Sequence, residues 1–387
     1  MDYLLFGLAI VLTVMGIAAV RQIPYYSPLV ISTMVWLAVF VTGLFAQDLF
    51  YPITERAFLL WLVWFVITSV LYFIFSDTEP ALPQNEQRSL PFDYSLIVVG
   101  LIIWLAYRVW VLGTTGPEHF FLNLRLSAIG LEGFEPLGFM ERAYPVVFAL
   151  FLFEIVNSRK GNLHLRFLLW GWMLLYAIAT MGKFAILTPI VSWLIIKGVQ
   201  GLVPLRVPVL VVLGSLPLMA ALHFIRAGAQ HQQTLGELVS VYIYSPIVAL
   251  GHLELNPDAV TGAYTLRFFY AVMNRLFGTM PPEQVILPYV DVPFPTNVYT
   301  VLQPFIYDFG APGVVIGALL YGLLFGGLFY MAQSKKALPI ILYAGLSIAL
   351  IGQFIGDLFL TTLSGNLQFI IAASIIVFLS KRVHFGR

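Results

Sequence analysis

The feature that most constrains this chain is that its apolar residues arrive in runs about as long as a membrane is thick. The runs measure about 17–21 residues, the length that carries a helix across ~30 Å of hydrocarbon. Strands that cross a bilayer would show as alternating segments of roughly ten residues, and no such pattern is present. Charged residues make up only 10% of the 387 and apolar ones 60%, whereas a soluble domain carries about a quarter charged residues. The expected class is an all-α polytopic integral membrane protein. The runs fall at 3–20, 27–46, 57–75, 95–113, 141–157, 167–182, 184–200, 207–225, 311–332, 337–355 and 367–380, so about eleven transmembrane helices are predicted. The first run lacks a basic flank before it and a small-residue cleavage site after it, so it reads as a retained span. Pro145, Pro189, Pro208 and Pro217 lie inside runs, where neighbouring helices can satisfy the freed carbonyls. Trp36, Trp104, Trp110 and Tyr107 suit interfacial belts.

Charge and composition remove several function classes. A net charge of +1 makes nucleic acid an implausible partner. The chain has no cysteine, which excludes disulfides, thiolate catalysis and Cys-based zinc sites. The histidines expected on the outer side, His119, His223, His231 and His252, fit no zinc spacing, and no Asp-x-Asp pair marks a divalent metal site. Neither a metal nor any other cofactor is expected.

The basic residues give an orientation. Arg159, Lys160 and Arg166 share one short loop, Lys197 and Arg206 flank another, Lys335 and Lys336 mark a third, and Lys381, Arg382 and Arg387 lie in the tail. Alternating spans put all of these on one face, which the positive-inside rule makes cytoplasmic. The N-terminus is then outside and the C-terminus inside. Segment 77–93, Pro-rich and acidic (Asp77, Glu79, Glu86, Asp93), reads as an inside flexible linker. Three sections follow: residues 1–225 with helices 1–8 and an outer loop at 114–140, a large outer loop at 226–310, and residues 311–387 with helices 9–11. The large loop holds aromatic amphipathic stretches at 238–252 and 264–277, expected as short helices on the outer interface.

Arg108, Arg125, Arg142, Lys183, Arg226, Arg267 and Arg275 fall at or near the outer face, where they do nothing for orientation. Arg offers a rigid fork matched to phosphate oxygens and Lys a point charge, so together these residues point to an anionic ligand. Each alone could instead snorkel to lipid headgroups. A second group, Pro295-Thr296-Asn297-Val298-Tyr299-Thr300 and then Tyr307-Asp308-Phe309-Gly310, lies where the large loop re-enters the membrane. Its donors and acceptors fit sugar hydroxyls, and Asp308 is expected beside a helix N-terminus, where the dipole favours an anion. The bland alternative makes Asp308 a helix-start acid and Asn297 a turn residue. His223 and Arg226 are i and i+3 on one helix face, so His223 is placed to act as a base or to hydrogen-bond a phosphate.

The order of these features resembles the Wzy-type polymerases of O-antigen and other oligosaccharide repeat units. The resemblance is carried by His223-Phe224-Ile225-Arg226-Ala227-Gly228, then Tyr244-Ser245-Pro246-Ile247-Val248-Ala249-Leu250, Phe268 to Gly278, Asn297-Val298-Tyr299-Thr300 and Tyr307-Asp308-Phe309-Gly310-Ala311-Pro312-Gly313. Met181-Gly182-Lys183 before an apolar run is similar to the family's span start. The first ~110 residues match only as generic spans. The fixed Arg-to-Gly spacing described for two external loops in some subfamilies is not kept after Arg125 or Arg226.

The resemblance implies a GT-C-like, metal-independent glycosyltransferase in the bacterial inner membrane, working at the periplasmic face in lipopolysaccharide and polysaccharide biosynthesis. The growing glycan would move from undecaprenyl pyrophosphate onto the non-reducing sugar of a new lipid-linked unit. Undecaprenyl-pyrophosphate-linked glycans are the implied partners, with a chain-length regulator and membrane lipids beside them. On this reading Arg226, Arg125 and Lys183 bind pyrophosphate, with Arg142 and Arg267 secondary. Asp308 is the first candidate for general base and His223 the second, and Asn297, Tyr299 and Tyr244 bind sugar. The alternatives are an O-antigen ligase with a lipid A-core acceptor, which the Tyr-Asp-Phe-Gly order disfavours, and a flippase for the same lipid-linked sugars. A flippase would place ionisable residues at mid-membrane and often shows inverted repeats. Here Arg108 and Glu154 sit near span ends and no repeat appears.

Overall fold

A computed structural model describes residues 2–77, 88–157, 162–227, 234–253, 260–278, 287 and 289–382. His231, Arg159, Lys160, Arg387, Glu79, Glu86 and Gly228 lie outside these, as does the side chain of Arg226. The chain is mostly helical. In order it forms α1 (Asp2–Val20), α2 (Pro28–Ala46), α3 (Glu55–Asp77), β1 (Arg88–Ser89), α4 (Ser95–Thr115), α5 (Phe120–Ala128), α6 (Phe139–Val156), α7 (Leu163–Thr180), α8 (Lys183–Val199), α9 (Arg206–Ala227), α10 (Leu235–Ile243), α11 (Ser245–Gly251) and α12 (Arg267–Phe277). Then come β2 (Val290–Asp291), β3 (Pro295–Thr296), α13 (Gln303–Ala332), α14 (Ala337–Leu346), α15 (Ile348–Ile351), α16 (Leu363–Leu379) and β4 (Lys381–Arg382).

Helices occupy each of the apolar runs. Among the described residues seven are long and apolar enough to cross a membrane: Tyr3–Val20, Pro28–Ala46, Glu55–Ser76, Ser95–Thr115, Leu163–Thr180, Gln303–Ala332 and Ala337–Phe354. Leu363–Leu379 is apolar but shorter. Length and apolarity alone do not carry the count to eleven, because α6 holds Glu141, Arg142 and Glu154 and α8 has only 17 residues. The starts follow ordinary capping chemistry. Ser27 accepts from the Val30 N–H ahead of Pro28, Asn162 accepts from His164 N–H, and Thr234 with Glu237 forms a reciprocal capping box on α10.

The chain forms two compact units. The first comprises Met1–Pro80, Gln233–Tyr330 and Ala349–Ser364. Here α1, α2 and α3 pack together, with α10 on α2 and α11 on α3. Gly322 and Gly326 let α13 approach α3 closely, since a Cβ there would lie 2.4 Å from Leu71 Cδ1 and 2.3 Å from Phe75 Cδ2. This is the small-xxx-small spacing that allows close helix contact in lipid. The core is aromatic: Trp36, Trp61, Trp64, Phe65 and Tyr321 are all fully buried. Trp36 therefore does not join an interfacial belt. Its ring meets Trp61 edge-on and its indole N–H reaches Gln353 Oε1 at 3.4 Å, so its polar end is satisfied inside. Trp104, Tyr107 and Trp110 are exposed, as a belt requires.

The second unit comprises Ala81–Gln232, Met331–Ile348 and Gly365–Arg387. In it α4 packs on α7 and α5, α6 on α7 and α8, and α14 on α8 and α6. One end of this unit gathers basic residues. Lys197 donates to Ile155 O at 3.1 Å, Arg88 donates to Val377 O at 3.1 Å, and the Arg88 N–H reaches Asn157 Oδ1 at 2.8 Å. Strand β1 pairs antiparallel with β4, Ser89 opposite Lys381. The end of segment 77–93 is thus paired, which corrects its reading as flexible linker throughout; the tail strand supplies hydrogen-bond partners that no local pattern shows.

Candidate functional site

The second unit brings two of the expected cations together. Helix α7 ends at Met181 in a left-handed conformation (φ 46°), Gly182 follows as N-cap of α8, and Lys183 is the first helical residue. A Cβ on Gly182 would lie 3.8 Å from Arg125 Nη1 and 3.4 Å from Thr180 Oγ1. The Arg125 guanidinium thus lies beside the start of α8. That start has no side-chain cap, and the first N–H groups of a helix lack intrahelical partners and carry the positive end of its dipole. An uncapped helix start with a fork and a point charge beside it is the arrangement that receives phosphate oxygens. Lys183 and Lys197 stand at opposite ends of the 17-residue α8, about 20 Å apart at ~1.5 Å per residue.

Arg125 is held there by α5, whose last turn it occupies. The residue that fixes α5 was not among those expected from sequence. Asn123 is buried, donates from Nδ2 to Gly113 O (3.0 Å) and Glu118 O (2.7 Å), and accepts from Glu118 N–H at 2.9 Å. It clamps the α4–α5 turn, and a Cβ on Gly116 would strike its Oδ1 at 2.3 Å. The Gly113, Gly116 and Asn123 spacing was the available signal. Helix α9, which carries His223 and Arg226 in its last turns, packs on both α5 and α8. His223 is half-buried with Phe224 edge-on to it. Arg142 is exposed in the first turn of α6. Arg108 is not presented to a ligand, because it pairs with Glu135 Oε1 at 2.8 Å and donates to Pro136 O at 2.7 Å.

The first unit holds the other candidates. Asp308 stands two residues before the break at which a long helix starts, and it also belongs to a short helix ahead of that break. Helix α13 begins at Gln303 and breaks at Gly310 (φ 63°, ψ −150°), so Asp308 lies late in its first segment. Its buried carboxylate accepts from Thr265 N–H and Thr265 Oγ1, both at 2.6 Å, and from Tyr264 N–H at 3.1 Å. Tyr264 also lies against Tyr307, ring centroids 4.9 Å apart. Asp308 thereby ties the turn before α12 to α13. Arg267, half-buried, begins α12, and Arg275 is exposed in its last turn.

The loop that carries Asn297 and Tyr299 follows a two-stranded ribbon, Val290 opposite Thr296 and Asp291 opposite Pro295. A cis peptide joins Val292 to Pro293. Thr296 and Thr300 are buried and accept from Val298 and Leu302 N–H, so these hydroxyls hold the loop. Asn297 is half-buried. Tyr299 is largely buried, and burial first and the neighbouring Tyr307 second push its hydroxyl up to about 12. Tyr244 is 1% exposed and packs edge-on to Phe50, with burial pushing it up to about 12. A side chain so placed fills the core and offers no surface to a sugar, which corrects its expected role; its neighbour Gly43, on α2, is far from it in sequence.

Two further polar residues of this unit escaped the sequence reading. Gln353 Oε1 receives Trp64 Nε1 (3.1 Å), Trp36 Nε1 (3.4 Å) and Ser32 Oγ (3.3 Å). Asp357, 4% exposed, accepts from the N–H groups of Phe359, Leu360 and Thr361 at 2.8–3.1 Å and from the Tyr321 hydroxyl. Among the described residues no group of three or more His, Asp or Glu is arranged to hold a metal ion.

Compared with family models, with curated proteins and with solved structures, the chain matches none.

Proposed function

We propose that the chain is a GT-C-like membrane glycosyltransferase that polymerises lipid-linked oligosaccharide repeat units at the outer face of the bacterial inner membrane. The observation that supports this most is the approach of Arg125 to Gly182, the residue before Lys183, at the uncapped start of α8. Undecaprenyl pyrophosphate is a diphosphate leaving group. As the bond from the anomeric carbon to its oxygen breaks, negative charge grows on the departing phosphate. Positioned cations and helix N–H groups stabilise that charge without a metal. The acceptor hydroxyl oxygen forms the new bond to the anomeric carbon and its proton passes to a base. On this reading Arg125 and Lys183 hold the diphosphate, with Arg226 on the adjoining helix and Arg142 as a flanking cation.

We assign the proton to His223 rather than Asp308. His223 stands on a helix that packs against both cation-bearing helices, whereas the Asp308 carboxylate is already occupied by three donors. Asp308 becomes a positioning residue for the α12 turn and Arg267, and half-buried Asn297 remains the more accessible of the sugar-binding candidates, with Tyr299 largely buried beside it. The chain is then oriented with its N-terminus periplasmic and its C-terminus cytoplasmic.

The test is polymerisation of purified lipid-linked repeat units by Arg125→Gln, Lys183→Gln and His223→Gln. Loss of one positioned charge-stabilising group costs about 10²–10³ in kcat. Undiminished chain growth in both Arg125→Gln and Lys183→Gln would remove the diphosphate assignment. Undiminished growth in His223→Gln alone would remove only the base.

A further inference from the structure

Helix α12 is apolar along one side, yet none of its residues is buried. Phe269 (54%), Val272 (39%), Met273 (45%) and Leu276 (67%) are exposed. Their i, i+3, i+4, i+7 spacing puts them on one face. Arg267, Tyr270 and Asn274 share the opposite side by the same periodicity. The helix carries Arg267 and Arg275 and no acidic residue.

The turn that precedes it fixes its position. The Tyr264 and Thr265 N–H groups and the Thr265 hydroxyl are bound to Asp308, just before the Gly310 break that opens the long segment of the candidate span Gln303–Ala332. The Tyr270 hydroxyl donates to Thr261 O at 3.1 Å and closes the same turn. Helix α12 therefore leaves from the end of a candidate span.

We propose that α12 lies in the membrane surface, with the Phe269–Val272–Met273–Leu276 face among acyl chains and Arg267 and Arg275 at the phosphates of anionic lipids. An amphipathic helix with basic residues on its polar side binds a bilayer in this way. The occupant is the lipid of the membrane the chain itself enters, so the assignment does not depend on glycosyl transfer.

The absence of cysteine makes the test direct. Spin labels are attached singly at Val272→Cys, Leu276→Cys, Ala271→Cys and Asn274→Cys in the full chain, reconstituted in nanodiscs rich in phosphatidylglycerol. Labels at 272 and 276 are expected about 5–10 Å below the phosphates, relaxed by oxygen and shielded from a water-soluble nickel chelate. Labels at 271 and 274 are expected to meet the chelate. Chelate access at all four positions would overturn the proposal in favour of a helix in water. Shielding of 272 and 276 from both reagents would overturn it in favour of a protein cover, such as a second copy of the chain. An insertion depth unchanged in pure phosphatidylcholine nanodiscs would overturn the role given to the arginines.

Discussion

Replacing Asp308 separates positioning from catalysis, because its three hydrogen bonds predict the size of the structural effect. The carboxylate takes Thr265 N–H and Oγ1 at 2.6 Å and Tyr264 N–H at 3.1 Å, and both Asp308 and Thr265 are buried. Bonds to a charged group contribute about 1.5–3 kcal/mol each. Asp308→Asn keeps one acceptor oxygen and turns an NH₂ toward a donor, for an expected cost of about 2–4 kcal/mol. Thr265→Val removes the hydroxyl bond alone, about 1.5–3 kcal/mol. Since the two share one bond, the double variant should cost less than the sum by about 1–2 kcal/mol. Equilibrium unfolding in mixed micelles, followed by tryptophan fluorescence, measures the cycle. Additivity within about 0.5 kcal/mol would refute the shared bond. Chain growth completes the test. If Asp308 positions the α12 turn, Thr265→Val lowers the rate in the same direction as Asp308→Asn. An inactive Asp308→Asn beside a fully active Thr265→Val would mean that the carboxylate acts on substrate, and the positioning argument would fail.

Gly182→Ala should fold, because its methyl meets Thr180 and Arg125 at ordinary contact distances and a poorer N-cap costs about 1 kcal/mol or less; crowding beside the guanidinium should nonetheless weaken binding of inorganic pyrophosphate, read by calorimetry. Gln353→Leu leaves two buried indole N–H groups without their acceptor, so a loss of about 2–5 kcal/mol is expected and should show as earlier thermal aggregation in detergent. The Glu237 carboxyl is held below its usual value by the Thr234 N–H first and the Thr234 hydroxyl second. A depressed carboxyl contributes stability above its unfolded pKa and loses it as pH falls through the folded value. Amide exchange in α10 should therefore accelerate below the ordinary glutamate range, and less so in Glu237→Gln.

What the sequence made legible is local. An apolar run of membrane length announces its own helix, and Met181-Gly182-Lys183 announced a tight turn with a cation at a helix start, which is where the structure has it. The amphipathic stretch at 264–277 likewise became α12. What stayed hidden is long-range. Ser32 meets Gln353 across 321 residues, and nothing near Trp36 shows that its indole N–H will be satisfied in a core rather than at a surface. The tyrosine at 244 and the threonines at 296 and 300 looked like donors for a ligand because their type is read from sequence and their burial is not. Asp308 was expected beside a helix start, and a helix does begin just after Gly310. What local pattern did not show is the short helix from Gln303 that carries Asp308 up to that break.

The buried polar groups of the first unit have a physical role that their burial alone does not explain. In lipid there is little hydrophobic drive for one helix to prefer another, so small-residue contacts and interhelical hydrogen bonds select the partners. Gln353 makes such bonds to α2 and α3 at once. Its own carbonyl accepts from Val301 N–H at 2.8 Å, so the residue that joins the helices also suspends the loop carrying Asn297 and Tyr299. Gly356, three residues on, lies beside Tyr299, since a Cβ there would be 3.8 Å from its carbonyl oxygen. Asp357 then fixes the following turn by taking three consecutive N–H groups. A loop hung in this way is positioned by the helix bundle and not by its own sequence. A substitution at Gln353 or Asp357 should therefore move Tyr299 even though neither side chain need touch what Tyr299 meets.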